Sequence, residues 1–217
     1  PDIERVRSLC RAYGLDLLVG PYSRSDDPWF RGPTSGLDAL GRQRLAGIRA
    51  LADCDAAVWF APDELYTMAD VRSIKEQMGE LMRPGIVALP QTCHTLWWNT
   101  SWEVPYWHPI IGLPIDFDPL LADTGRGARY DNVLIMGVTC WHFSFARPDG
   151  EMREKFHSWG HAAEGHSAKH WRAWDTWKPG QAMEWPANVP TRVTEPLPGE
   201  LAERLVAVLP QLRETPT

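Results

Sequence analysis

The chain has 217 residues, 44% of them apolar, and a formal net charge of −6, enough for one sizeable hydrophobic core. Its 22 basic residues are scattered, so no positive stripe is available to neutralise a phosphate backbone, which argues against nucleic acid as a partner. No apolar run approaches the roughly 20 residues that span a bilayer, and the first residues lack the charged-then-apolar order of a signal peptide; both predict a cytoplasmic protein without a membrane partner.

Taken in order, Ile3, Val6, Leu9, Cys10 and Tyr13 recur at helical spacing, and Gly14 closes that helix before a short apolar run, Leu15 to Gly20. A loop rich in Gly, Pro, Ser and Asp (21–36) leads to a second helix with Leu45, Ile48 and Leu51 on one face, and then to the run DAAVWFAP (55–62). A third helix is predicted from about Ala69 to Met82, carrying Val71, Ile74, Met78 and Leu81, and RPG ends it ahead of the strand GIVALP (85–90). NVLIMGV (132–138) supplies a further strand, and Leu201, Leu205, Val208 and Leu212 mark a C-terminal helix. Strands separated by helices predict an α/β fold, a three-layer sandwich around a mostly parallel sheet, flavodoxin-like in the broad sense. Residues 1–217 read as one domain: a regular part (1–98), an irregular part rich in Trp and His that includes the last strand (99–190), and the C-terminal helix (191–217).

Ligands of such sheets sit beyond the carboxyl ends of the strands, which directs attention to the loops after Gly20, Ala61 and Pro90. The last holds Cys93 and His94. A cysteine at a strand-to-helix elbow is exposed to substrate, its thiolate favoured by the helix N-terminus and its neighbours' N–H groups placed for an oxyanion. The four cysteines, at 10, 54, 93 and 140, include no CxxC pair, so reduced thiols are expected rather than a disulfide framework. Asp63 and Glu64 follow the run at 55–62, where they are placed to bind substrate.

The stretches DCDAAVWFAPDE (53–64) and VRSIKEQMGELMRPGIVALPQTCHTLWW (71–98) resemble the core of the intracellular-protease and deglycase group of the class I glutamine amidotransferase-like superfamily. The resemblance covers about residues 2–98. It implies a cysteine-dependent hydrolase or lyase acting on a small molecule, with Cys93 as nucleophile, His94 tuning or orienting it and Glu4 as its proton partner. The family's first strand would lie ahead of Asp2, and its elbow usually has a small residue where this chain has Thr95.

Residues 94–185 hold ten of the 12 tryptophans and all seven histidines. Trp97, Trp98 and Trp102 are expected to line the substrate pocket, since an indole buried in a core needs a partner for its N–H. They would equally serve a homodimer interface, where Trp is enriched. His157 and His161 lie four residues apart, as do His166 and His170, the spacing by which one helix face offers two imidazoles to zinc or another transition metal. Gly160 and Gly165 weaken that helix, and the alternative is a solvated His-rich turn. No cofactor is required by the cysteine reading. Three functions therefore stand: the thiol-dependent enzyme, a non-catalytic ligand-binding or dimerising protein that uses its tryptophans, and a metal-dependent hydrolase built on the histidines.

Overall fold

The computed structural model describes residues 8, 51, 53–58, 60–82, 86–104, 109–114, 132–158, 167–183 and 189–214. The elements predicted from Ile3 to Leu51, and with them Glu4, lie outside the described residues, as do His161 and His166.

Two long strands form the spine. β3 (Ile86–Trp97) and β6 (Asn132–Phe145) run parallel and in register over nearly their whole length. Both exceed their predicted bounds. The sequence reading stopped β3 at Pro90, because proline cannot donate to a ladder; here the register shifts between Pro90 and Thr92, and the resulting irregularity absorbs the missing N–H. The strand then continues through Cys93 and His94 to Trp97.

The other strands are short. β2 (Glu64–Leu65) pairs with β6 at one side of the sheet. On the opposite side of β3 lie β5 (Gly112–Pro114) and β4 (Trp102–Val104), which in turn pair with β1 (Ala56–Val58) and β7 (Thr191–Arg192). Every pairing except β3 with β6 is antiparallel. The chain is α/β, but the expected mostly parallel sheet is corrected to a mixed sheet dominated by antiparallel pairs. The cause lies in the connection between the long strands: it contains the short strands β4 and β5, which fold back onto β3, rather than a simple helical crossover.

Side chains alternate across β6, and each face has its own cover. Met136, Val138 and Cys140 pack with Ile74 and Val71 of α1 (Met68–Gln77), the helix expected from Ala69, which continues as a 3-10 turn to Met82. Trp141 and Phe143 on the other face pack with Leu96 and with Leu201 of α4 (Gly199–Arg204). At the C-terminal end of the spine, α2 (Asp149–Ser158) and α3 (Ser167–Asp175) enclose Trp97, Trp98, Trp102, Trp174 and Trp177 with Phe145, Met152 and Phe156.

Asp70 joins a helix to the sheet. Its carboxylate accepts the Thr67 N–H at 3.0 Å, closing a capping box, and its other oxygen accepts the Thr139 N–H of β6 at 3.1 Å, next to the register shift. Replacing Asp70 with alanine removes the carboxylate half of the capping box and leaves the Thr67 and Thr139 N–H groups without their acceptor, and should cost about 2–3 kcal/mol. Urea unfolding of Asp70→Ala against the parent checks this; a loss under about 0.5 kcal/mol would mean that water satisfies both groups.

Candidate functional site

The alternation that buries Cys140 under α1 carries His142 along the same face, and a second register shift, between His142 and Phe145, takes in Ser144. Here the sheet face turns polar. β2 brings Glu64 opposite His142, and β3 brings Thr95 beside it. The residues just before β2 and just after β6 complete a charged group around Asp63.

Asp63 is the hub. Arg147 donates to its Oδ2 at 2.8 Å, Lys155 Nζ lies 3.6 Å from the same oxygen, and His142 Nε2 lies 3.8 Å from Oδ1. Burial alone would raise the Asp63 carboxyl, but the charges of Lys155, His142 and Arg147, with the Arg147 hydrogen bond, outweigh it and hold the carboxyl below its ordinary value of 3.8. Its contribution to stability is therefore present above pH 3.8 and is lost as the pH falls through the depressed value.

Lys155 reaches the group from α2. Its ammonium donates to Ser144 Oγ at 2.6 Å and to the Ser144 carbonyl at 2.7 Å, and it lies 5.2 Å over the Phe145 ring. Burial pushes its pKa down to about 8, against the attraction of Asp63 and with help from the Arg147 charge. A lysine at that value exchanges its proton near neutral pH. Ser144 is itself buried.

Asp63, Arg147 and Glu151 also wall a cleft of about 190 Å³ whose remaining sides are apolar, including Leu65, Phe143 and Val208. Arg147 Nε is buried and has no hydrogen-bond partner among the described residues. A guanidinium donor at the edge of an apolar cleft suits an anionic group on a small ligand.

The residues singled out from sequence divide. Asp63 stands at the hub. Glu64 is buried beside it, its carboxylate accepting the Ala61 N–H at 3.2 Å. Cys93 shares the same face, with Cys140 as its register neighbour and Thr95 Oγ1 at 3.8 Å, but the expected strand-to-helix elbow is corrected: Cys93 lies within β3 and no helix follows it. His94 points to the opposite face, as adjacent residues of a strand must. There its Nδ1 bonds Glu103 Oε2 at 2.6 Å and its ring lies 4.4 Å from that of Trp141, so it cannot orient the Cys93 thiol.

Trp97, Trp98 and Trp102 are core rather than pocket walls, each less than 10% exposed. Their polar atoms are handled in two ways. Trp98 Nε1 donates to the Trp174 carbonyl at 2.6 Å, and Trp174 Nε1 donates to the Phe145 carbonyl at 2.8 Å. Trp97 and Trp102 instead meet the Trp177 ring edge to face. Arg213 closes the cluster from outside, 4.3 Å over Trp174 and 5.1 Å over Trp98.

His157 is exposed at the end of α2, whereas His170 is buried in α3 against Phe156. The two lie on α2 and α3, and their predicted partners, His161 and His166, lie outside the described residues. Among the described residues no three His, Cys, Asp or Glu side chains gather as a metal site, and no helix is long and apolar enough to cross a membrane.

Sequence reasoning missed Ser144, Arg147 and Lys155. No family model, curated protein or solved structure matches the chain.

Proposed function

We propose that the protein is a hydrolase of small anionic esters or amides, with Ser144 as nucleophile and Lys155 as its general base. The observation that carries this reading is the 2.6 Å contact between Lys155 Nζ and Ser144 Oγ; Asp63, 3.6 Å from the same ammonium, links the pair to the cleft that it lines with Arg147. A serine hydroxyl is a weak nucleophile until a neighbouring base takes its proton, and a desolvated lysine is one of the side chains that does so.

In this scheme neutral Lys155 accepts the Ser144 proton as Oγ attacks the substrate carbonyl. Lys155, now an ammonium, returns the proton to the leaving group, and water then releases the acyl chain. Asp63 holds Lys155 and Arg147 together and makes the ammonium easier to form. Arg147 receives the substrate's anionic end through the donors that Asp63 leaves open. The small-molecule hydrolase expected from sequence is retained, with the nucleophile moved from Cys93 to Ser144.

The test is hydrolysis of a panel of small aryl esters that carry a carboxylate, by the parent and by Ser144→Ala. The parent should turn over at least one of them, and the variant should lose about 10³-fold in kcat/KM. Hydrolysis that survives Ser144→Ala unchanged sinks the assignment. A panel that binds in the cleft without turnover would favour a non-catalytic binding protein.

A further inference from the structure

The thiols on the same sheet face have no part in that reaction, yet their arrangement is specific. Cys93 and Cys140 are register neighbours on the parallel pair β3 and β6. Parallel strands lie about 4.8 Å apart, within the roughly 4.4–6.8 Å between α-carbons that a disulfide spans. Neither is in a disulfide.

Their surroundings differ. Cys140 is fully buried, packed with Ile74, Met136 and Val138, whereas Cys93 is partly exposed at the edge of that cluster. The hydrogen bond between the two thiols, followed by burial, raises the Cys140 pKa far above its ordinary value, so Cys140 keeps the proton and Cys93 is the sulfur that receives it. Thr95 Oγ1 stands 3.8 Å from Cys93 Sγ as a second polar neighbour. Tyr66, buried beside the pair, has its pKa raised first by burial and then by its neighbours, the two thiols and Glu64. The accessible thiol of the pair is Cys93.

We propose that Cys93 and Cys140 form a peroxide-reactive dithiol that closes to a reversible disulfide across the two central strands. The Cys93 thiolate attacks one oxygen of a hydroperoxide; the O–O bond breaks, a sulfenic acid forms on Cys93, and the other oxygen leaves as water or an alcohol after taking a proton. The Cys140 sulfur then attacks the Cys93 sulfur. The S–S bond forms, the S–O bond breaks, and the hydroxyl leaves as water with the Cys140 proton. Two thiols are oxidised by two electrons and one hydroperoxide is reduced. The β-carbons must approach by roughly 1 Å to reach disulfide separation, so the bridge is strained and readily reduced.

The experiment treats the full chain with a small excess of hydrogen peroxide, blocks remaining thiols, and maps peptides by mass spectrometry. The expected result is a loss of about 2 Da per chain in one peptide pair linking Cys93 to Cys140, reversed by dithiothreitol, with Cys10 and Cys54 still alkylated. Cys93→Ser, at the partly exposed position, should abolish the linkage. Cys140→Ala should let the sulfenic acid accumulate on Cys93, where dimedone traps it. Three findings would each overturn the proposal: Cys93 driven to sulfinic acid while Cys140 stays a thiol, linkage through Cys10 or Cys54, or both thiols unchanged under conditions that oxidise Cys54. The wild-type peptide map decides these even where the Cys140 variant does not fold.

Discussion

Under the serine–lysine proposal, Lys155→Met is expected to lower hydrolytic kcat/KM by about 10³-fold and to remove a pH dependence from the stability of the fold. The sign follows from the direction of the shift. The Lys155 pKa falls from 10.5 in the free side chain to about 8 in the folded protein, so between these values the unfolded chain binds more protons and stability rises with pH. Below pH 8 the lysine is charged in both states and the folded protein carries the full cost, about 3 kcal/mol for a shift of that size. The parent should therefore gain up to about that amount between pH 8 and 10.5 relative to the methionine variant. Urea unfolding of both proteins across the window measures the difference, in which the remaining titrating groups cancel. Parallel curves would show that Lys155 keeps an ordinary pKa and is a poor base.

The largest loss of stability is expected at Trp174. This residue is fully buried, donates to the Phe145 carbonyl, accepts from Trp98 at its own carbonyl and lies under the Arg213 guanidinium. Truncation to alanine removes the indole from the centre of the aromatic cluster, leaves the Phe145 carbonyl short of a donor and empties a cavity that the surrounding rings cannot fill. A loss of about 4 kcal/mol is expected, enough to unfold a domain of ordinary stability at 37 °C. Thermal unfolding followed by tryptophan fluorescence reads it directly. A loss under about 1 kcal/mol would mean that the cluster is a surface layer rather than a core.

The parts of the fold legible in sequence are those where local chemistry and packing agree. α1 was visible because Val71, Ile74 and Met78 repeat at helical spacing, while the capping box of Thr67 and Asp70 that fixes its start went unread. The first halves of β3 and β6 were visible as apolar runs. Their second halves were not, since QTCHTLW and TCWHFSF mix polar and aromatic residues, and Pro90 carries a stop signal that the local register shift overrides. The short antiparallel strands are two or three residues long, too brief for any periodicity to declare itself.

The candidate site was legible only at Asp63 and Glu64. Arg147 is 84 residues from Asp63, and no spacing rule connects a strand residue such as Ser144 with a lysine on the following helix. Cys93 and His94 looked like a unit because they adjoin in sequence, yet a strand places such neighbours on opposite faces. The tryptophans misled for a related reason. Their indole N–H groups suggested exposure, but that of Trp98 finds a backbone carbonyl inside, and those of Trp97 and Trp102 are buried with no hydrogen-bond partner among the described residues.

The most direct test of the serine–lysine assignment is the labelling of Ser144 by a small phosphonylating reagent as a function of pH, read by peptide mass spectrometry. The account predicts modification at Ser144, a rate that climbs as the pH passes about 8 as Lys155 loses its proton, and loss of labelling in Lys155→Met. Modification spread over unrelated serines, or Ser144 labelling that persists in Lys155→Met with an unchanged pH profile, would contradict it and leave the Asp63 group as a structural ion network.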